Sequence, residues 1–282
     1  MPVPRSPLED AYTRLTEVFP GLEITEIDAR EPFPHTGGWV RAASLAEDGP
    51  ELESFLSWDD AQVLRDYGHR ARPDVVASFG LHRYAWPACL LITVPWFLHR
   101  RVPRFPVSHV AYDRTVPGLS LGRLAVRPAG FACLPGDPAA ALPGARVVDD
   151  EEALRAQVRA AVAEHLEPVL GGFGPRMRRR GRALWGMATD ELVEGLWYVA
   201  HLLGEQRRAT RELELLLPGA TRPYVGSAAF RELTGPDGES LPTRDRASCC
   251  MFYTVRPEDT CATCPRTCAA DRVAKLLAGA AS

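Results

Sequence analysis

The chain has 282 residues, 46% hydrophobic and 24% charged, enough to bury one large core or two modest ones. A net charge of −3 and a pI near 6.2 carry no polyanion-binding signal, which argues against nucleic acid as a partner. Residues 1–10 show no apolar targeting core, and the longest apolar run, 88–98, contains Pro95 and is too short to span a bilayer, so a cytoplasmic protein with no transmembrane segment is expected.

In chain order, Leu8, Tyr12, Leu15 and Phe19 recur at helical spacing and stop before Pro20-Gly21, which predicts an amphipathic helix over 8–19. Residues 22–29 alternate as a short strand, and 31–38 are rich in turn residues. A second helix is expected from Ser57 as N-cap to His69, with Asp59 and Asp60 in its first turn where the helix dipole favours carboxylates. Residues 74–101 place His82, Tyr84, Trp86, Trp96 and His99 among aliphatics. That pattern suits a core helix, and a pocket wall for a bulky ligand would look the same in sequence. Cys89 within this run reads as a buried free thiol. From 107 to 134 short β-prone pieces alternate with Gly and Pro turns and predict a small antiparallel meander, with Cys133 a structural residue on its last strand. The Ala/Pro/Gly stretch 135–143 is the best candidate boundary. It separates an N-terminal α+β part, 1–143, carrying a candidate ligand-facing surface, from a helical part, 144–282.

The second part opens with an acidic N-terminal end, 149–152, and a helix whose face carries Leu154, Val158, Val162, His165 and Val169 until Gly171-Gly172. His165 on that stripe reads as a core histidine. Arg176, Arg178, Arg179, Arg180 and Arg182 follow in a Gly-bounded loop, either a solvated basic turn or an anion-facing patch. A helix capped by Thr189 runs to Leu203, another covers 205–217, and a terminal helix covers 268–277. Residues 221–248 are loop-rich, and 248–255 read as a short strand. The expected class is therefore α+β and helix-dominated. Its small antiparallel sheet lies in the N-terminal half and its cysteine-rich segment on a helical C-terminal half.

That segment carries the chemistry. Cys249 and Cys250 are adjacent, ten residues follow, and then comes Cys261-Ala262-Thr263-Cys264, with Cys268 just beyond. Thiols this dense in a reducing compartment point to soft-metal ligation more than to disulfides. Adjacent side chains in extended backbone face opposite ways, so the vicinal pair reaches one inorganic centre only if the chain turns beside it. Spacing alone admits zinc or a [2Fe-2S] cluster, each able to take four thiolates. Arg244, Arg246, Arg256 and Arg266 flank the cysteines and would raise the potential of an anionic cluster, although arginine is this chain's default cation: Lys275 is the one lysine.

The pattern Cys249-Cys250, ten residues, Cys261-x2-Cys264-Pro265, with Met251-Phe252-Tyr253 after the pair, resembles the C-terminal signature of the FhuF-type ferric-siderophore reductases. The resemblance covers the segment 248–268. It implies a [2Fe-2S] cluster held by Cys249, Cys250, Cys261 and Cys264, and one-electron reduction of Fe(III) in a hydroxamate-type siderophore to release Fe(II). Cys268 stands outside the pattern. No phosphate-binding loop, dinucleotide fingerprint or nucleophile elbow occurs, so electrons are expected from an external donor of the ferredoxin or flavin reductase type. The rival expectations are a zinc-stabilised four-cysteine binding module and an iron-sulfur relay or sensor with another acceptor.

Overall fold

The computed structural model describes residues 6–280; residues 1–5, part of the stretch read for a targeting segment, and residues 281 and 282 lie outside the described residues. The elements run α1 (Glu9–Val18), β1 (Leu22–Glu26), β2 (Val40–Arg41), α2 (Ala42–Leu45), α3 (Pro50–Tyr67), α4 (Pro73–His99), β3 (Arg101–Pro103), β4 (Val110–Asp113), β5 (Gly122–Val126), β6 (Phe131–Cys133), β7 (Ala145–Val147), α5 (Glu151–Met177), α6 (Gly181–Leu202), α7 (Gln206–Leu216), β8 (Phe230–Thr234), β9 (Ser240–Arg244) and α8 (Ala269–Ala280). The class is α+β, about half helical.

Helix α4 is the central mast, packed by α1, α3, α5 and α6. It is long and apolar enough to cross a membrane by length and composition, but 83% of its most apolar window is buried inside the protein. Two prolines, Pro87 and Pro95, interrupt its hydrogen bonding, because each lacks the N–H owed to the carbonyl four residues back. Both orphaned carbonyls find tyrosine hydroxyls. Tyr12 donates to Leu91 O at 2.9 Å, and Tyr112 lies 3.2 Å from Arg83 O while donating to Leu121 O at 2.6 Å. Trp96, Tyr84 and Cys89 of α4 are buried, as expected of core residues.

The strands do not form a meander. β1 pairs in parallel with β5, and β4 pairs antiparallel with both β5 and β2, giving the order β1-β5-β4-β2. β6, which carries the buried Cys133, leaves that sheet to pair antiparallel with β3 and in parallel with β7. The expectation of one antiparallel sheet fails because β1 lies far away in sequence and local alternation does not encode such a partner. The expected helical C-terminal half likewise contains β7 and the hairpin β8-β9, whose turn holds the Gly235-Pro236-Asp237-Gly238 sequence. The stretch 135–143 is fastened by Asp137, which accepts from Arg101 at 2.7–3.1 Å, and side chains from both sides of it join one buried cluster.

Three helix boundaries differ from expectation. α3 starts at Pro50, with Gly49 as N-cap, so Asp59 is not a capping residue. It is fully buried and accepts from Arg83 and from Arg114, the latter at 2.9 Å; burial raises its pKa while both arginines oppose that rise. α5, capped by Asp150, runs through Gly171-Gly172 to Met177. Gly172 is required by packing, since a Cβ there would lie 2.3 Å from the Leu45 carbonyl oxygen. α6 starts at Gly181, leaving Thr189 buried in mid-helix, where its hydroxyl donates to Trp185 O and accepts from Val225 N–H.

His165 is a core residue. Its Nδ1–H donates to Phe105 O at 2.8 Å, and its Nε2 accepts from the Tyr84 hydroxyl at 2.7 Å. Burial holds the ring neutral and lowers its pKa to about 4.

Candidate metal centre

Cys249, Cys250, Cys261 and Cys264 line one cavity of about 680 Å3. The cavity is walled by aromatic residues from both halves of the chain, among them Phe19, Phe79, Trp86, Trp197, Tyr198 and Tyr253. Cys264 is buried, Cys249 and Cys250 are half-buried, and Cys261 is exposed. Among the described residues no group of three or more His, Cys, Asp or Glu side chains is placed to hold one metal ion.

The expected strand over 248–255 is absent. Met251 adopts the left-handed conformation, φ 68° and ψ 7°, and a short 3-10 turn, Phe252–Thr254, follows. This departure answers the geometric requirement on a vicinal pair: a turn directly after it lets both thiols face the same cavity, where extended backbone would part them. The turn also brings the Met251 N–H to Cys249 Sγ at 3.4 Å. At the second pair, the Cys264 N–H closes onto Cys261 O at 3.1 Å.

Four anchors hold these loops on the helical platform. Asp190 of α6, fully buried, accepts from the Ala247 N–H, the Ser248 N–H and hydroxyl, and Arg244. Ser78 of α4 donates to Cys250 O at 3.1 Å. Thr263 donates to Glu194 of α6 at 2.8 Å. Arg272 of α8 donates to Cys264 O at 3.2 Å and to Asp245 at 2.7 Å. Cys268 lies outside the cavity lining; its sulfur accepts the Asp271 N–H at 3.5 Å at the start of α8, a capping role.

The flanking arginines divide. Arg244 and Arg246 are buried against Asp190 and Glu194, and Arg246 also lies 3.6 Å from Glu191. Burial works against the Arg246 charge, but Glu194, Glu191 and Asp190 outweigh it and hold its pKa above the ordinary value. Arg256 pairs with Glu258, and Arg266 sits 4.0 Å over the Tyr253 ring. His82 reaches the cavity with its Nδ1 2.6 Å from Glu191. Partial burial disfavours the charged imidazole, yet Glu191 overrides this and raises the His82 pKa. Burial pushes the Cys250 thiol up, with the Phe252 N–H and Arg246 opposing.

The sequence reading reached the cysteines and missed their supports: Ser78, Asp190, Glu191, Glu194 and Arg272. One signal was available, since Asp190, Glu191 and Glu194 interrupt the apolar run of α6 in its middle, where a carboxylate needs a buried partner.

Four thiols line the wall of one cavity, and thiols are a donor type that soft-metal and iron-sulfur centres use. Residues 246–266 match the family model of the FhuF 2Fe-2S C-terminal domain, so this segment is of that type. No curated protein matches the chain. A [2Fe-2S] cluster fits the residues present: the donors are four cysteines, one sulfur already receives a backbone N–H, and the backbone turn serves the vicinal pair.

Proposed function

We propose that the protein is a cytoplasmic iron-sulfur ferric-siderophore reductase, with Cys249, Cys250, Cys261 and Cys264 holding a [2Fe-2S] cluster. The observation that carries this reading is the matched segment 246–266 together with the shared aromatic cavity that its four cysteines line. When bound, such a cluster supplies electrons one at a time. Hydroxamate oxygens hold Fe(III) tightly and Fe(II) weakly, so one electron turns the substrate chelate from an inert complex into one that releases iron.

The chain's own residues supply a place for that chelate. Trp86, Trp197, Tyr198 and Phe19 offer a broad apolar wall for a ligand's hydrocarbon spacers. Asp59 steadies Arg83 at the wall from behind. Asp190, Ser78, Glu194 and Arg272 keep the cysteine loops in register with the wall.

The test is the absorption spectrum of anaerobically purified protein, then reduction by dithionite, EPR, and addition of a ferric hydroxamate. Supporting results are a brown protein and a rhombic signal from its reduced form that disappears as the chelate loses iron. A colourless protein with one zinc, unchanged by anaerobic iron-sulfide reconstitution, overturns the reading in favour of a zinc-stabilised binding module.

A further inference from the structure

The Gly-bounded arginine loop shrinks in the structure to the turn between α5 and α6. Arg176 is drawn away to Asp48 and Glu53. Arg178, Arg180 and Arg182 are exposed, and Arg179 is half-buried. The turn borders the cysteine loop. Arg179 Nη1 lies 3.8 Å from Met187 Sδ, the Ser78 hydroxyl lies 3.9 Å from the same sulfur, and Ser78 also holds Cys250 O. Arg178 lies within electrostatic reach of Asp74, whose carboxylate is engaged by Arg72. Arg266, exposed, stacks over the Tyr253 ring.

Most arginines of this chain are committed to carboxylates, but among the described residues Arg178, Arg179, Arg180, Arg182 and Arg266 enter no salt bridge. On the neighbouring segment 252–266, Glu258 is taken by Arg256, and Asp259 is the one carboxylate without a salt bridge among the described residues. In a protein of net charge −3 this is a local concentration of uncompensated positive charge. Arg266 lies over Tyr253, which lines the cavity together with the exposed Cys261, and Arg179 approaches the Met187 sulfur that Ser78, holder of Cys250 O, also approaches. Clustered charge of one sign steers a partner of the opposite sign and sets its orientation.

The geometry points to the arginine turn 178–182, with Arg266 and Tyr253, as the docking surface of an acidic one-electron carrier protein. The inference rests on the reductase reading, which requires electrons from outside. In the step concerned, the reduced carrier loses one electron and is oxidised, and the four-cysteine centre of this chain gains it.

The test uses the cluster-loaded full chain under anaerobic conditions, with a reduced acidic plant-type ferredoxin as the carrier probe and stopped-flow detection. The wild-type rate should fall about tenfold or more between roughly 20 and 300 mM salt. The triple variant Arg178→Glu, Arg180→Glu, Arg182→Glu alters only exposed side chains. It should be about tenfold or more slower than wild type at low salt and nearly insensitive to salt. Its reduction by the cationic methyl viologen radical should be no slower than that of wild type, because the reversed patch no longer repels a cation, and its re-oxidation by a neutral ferric hydroxamate should keep the wild-type rate. A variant that accepts electrons from ferredoxin at the wild-type rate overturns the docking surface. So does a variant slowed only in its reaction with an anionic ferric chelate, which would make the patch a chelate-steering device. Failure of wild-type reduced protein to be re-oxidised by any ferric chelate would sink the reductase reading, while the ferredoxin rates would still decide the docking surface.

Discussion

Asp190 and Arg244 lie 2.8 Å apart with neither side chain reaching solvent, and the other Asp190 oxygen receives both the N–H and the hydroxyl of Ser248. One buried carboxylate of α6 thus fixes the end of β9 and the residue directly before Cys249. Asp190→Asn keeps the shape and loses the charge, leaving the buried Arg244 to Glu194, 3.1 Å away, at a cost of roughly 1–3 kcal/mol. Urea denaturation should show that loss, and iron content should fall with it. Ser248→Ala, which removes one hydrogen bond at a cost of about 1 kcal/mol, should keep the fold and reduce cluster retention more mildly.

Cys268 and the cavity cysteines should separate cleanly. Cys268→Ser preserves a capping oxygen for the Asp271 N–H and touches nothing in the cavity, so iron content and the visible spectrum should match wild type. Cys250→Ser or Cys264→Ser should abolish the wild-type chromophore after identical reconstitution. A loss of chromophore in Cys268→Ser would place that thiol among the ligands.

Tyr12 and Leu91 offer a test of how the mast tolerates Pro95. Tyr12→Phe removes the hydroxyl that replaces the missing N–H and strands a buried carbonyl, for an expected loss of about 1–3 kcal/mol. Chemical denaturation monitored by helical circular dichroism measures it.

The pH dependence of stability should carry the mark of His165. Folded, the ring has a pKa of about 4; unfolded, it returns to about 6.5. Between those values the unfolded chain binds the extra proton, so stability rises with pH from about 4 to 6.5 and is lost as pH falls through that window. The total is about 3 kcal/mol. Urea midpoints from pH 4 to 7 should trace this slope, and His165→Gln should flatten it.

Substrate contact predicts a different signature at Trp86, which packs edge-on against Phe19 and lies against Tyr198 on the cavity wall. Trp86→Leu should weaken binding of a ferric hydroxamate about tenfold, near 1.4 kcal/mol, with cluster content unchanged. Fluorescence titration together with iron analysis reads both quantities.

Much of this protein was legible from local pattern. The periodicity of Leu8, Tyr12 and Leu15 marked α1, the acidic stretch 149–152 marked the start of α5, and the buried stripe carried His165 where the sequence put it. The cysteine spacing pointed to the site without a fold, because ligand chemistry is written in residue type and short separations. The helix starts at Ser57 and Thr189 were misread because capping residues also serve in helix interiors: Ser57 donates to Glu53 O, and Thr189 joins a distant loop.

Long-range pairing belongs to the other category. The parallel partnership of β1 with β5, the approach of Asp190 to the residues before Cys249, and the meeting of α1, α4 and α6 aromatics with four thiols join segments far apart in the chain. No periodicity records them, since a buried charge or a strand edge states only that it needs a partner. Which partner it meets follows from how the helices pack around α4. Residue type and spacing were therefore enough to mark the cysteines, and the packing of helices supplied their cavity and their anchors.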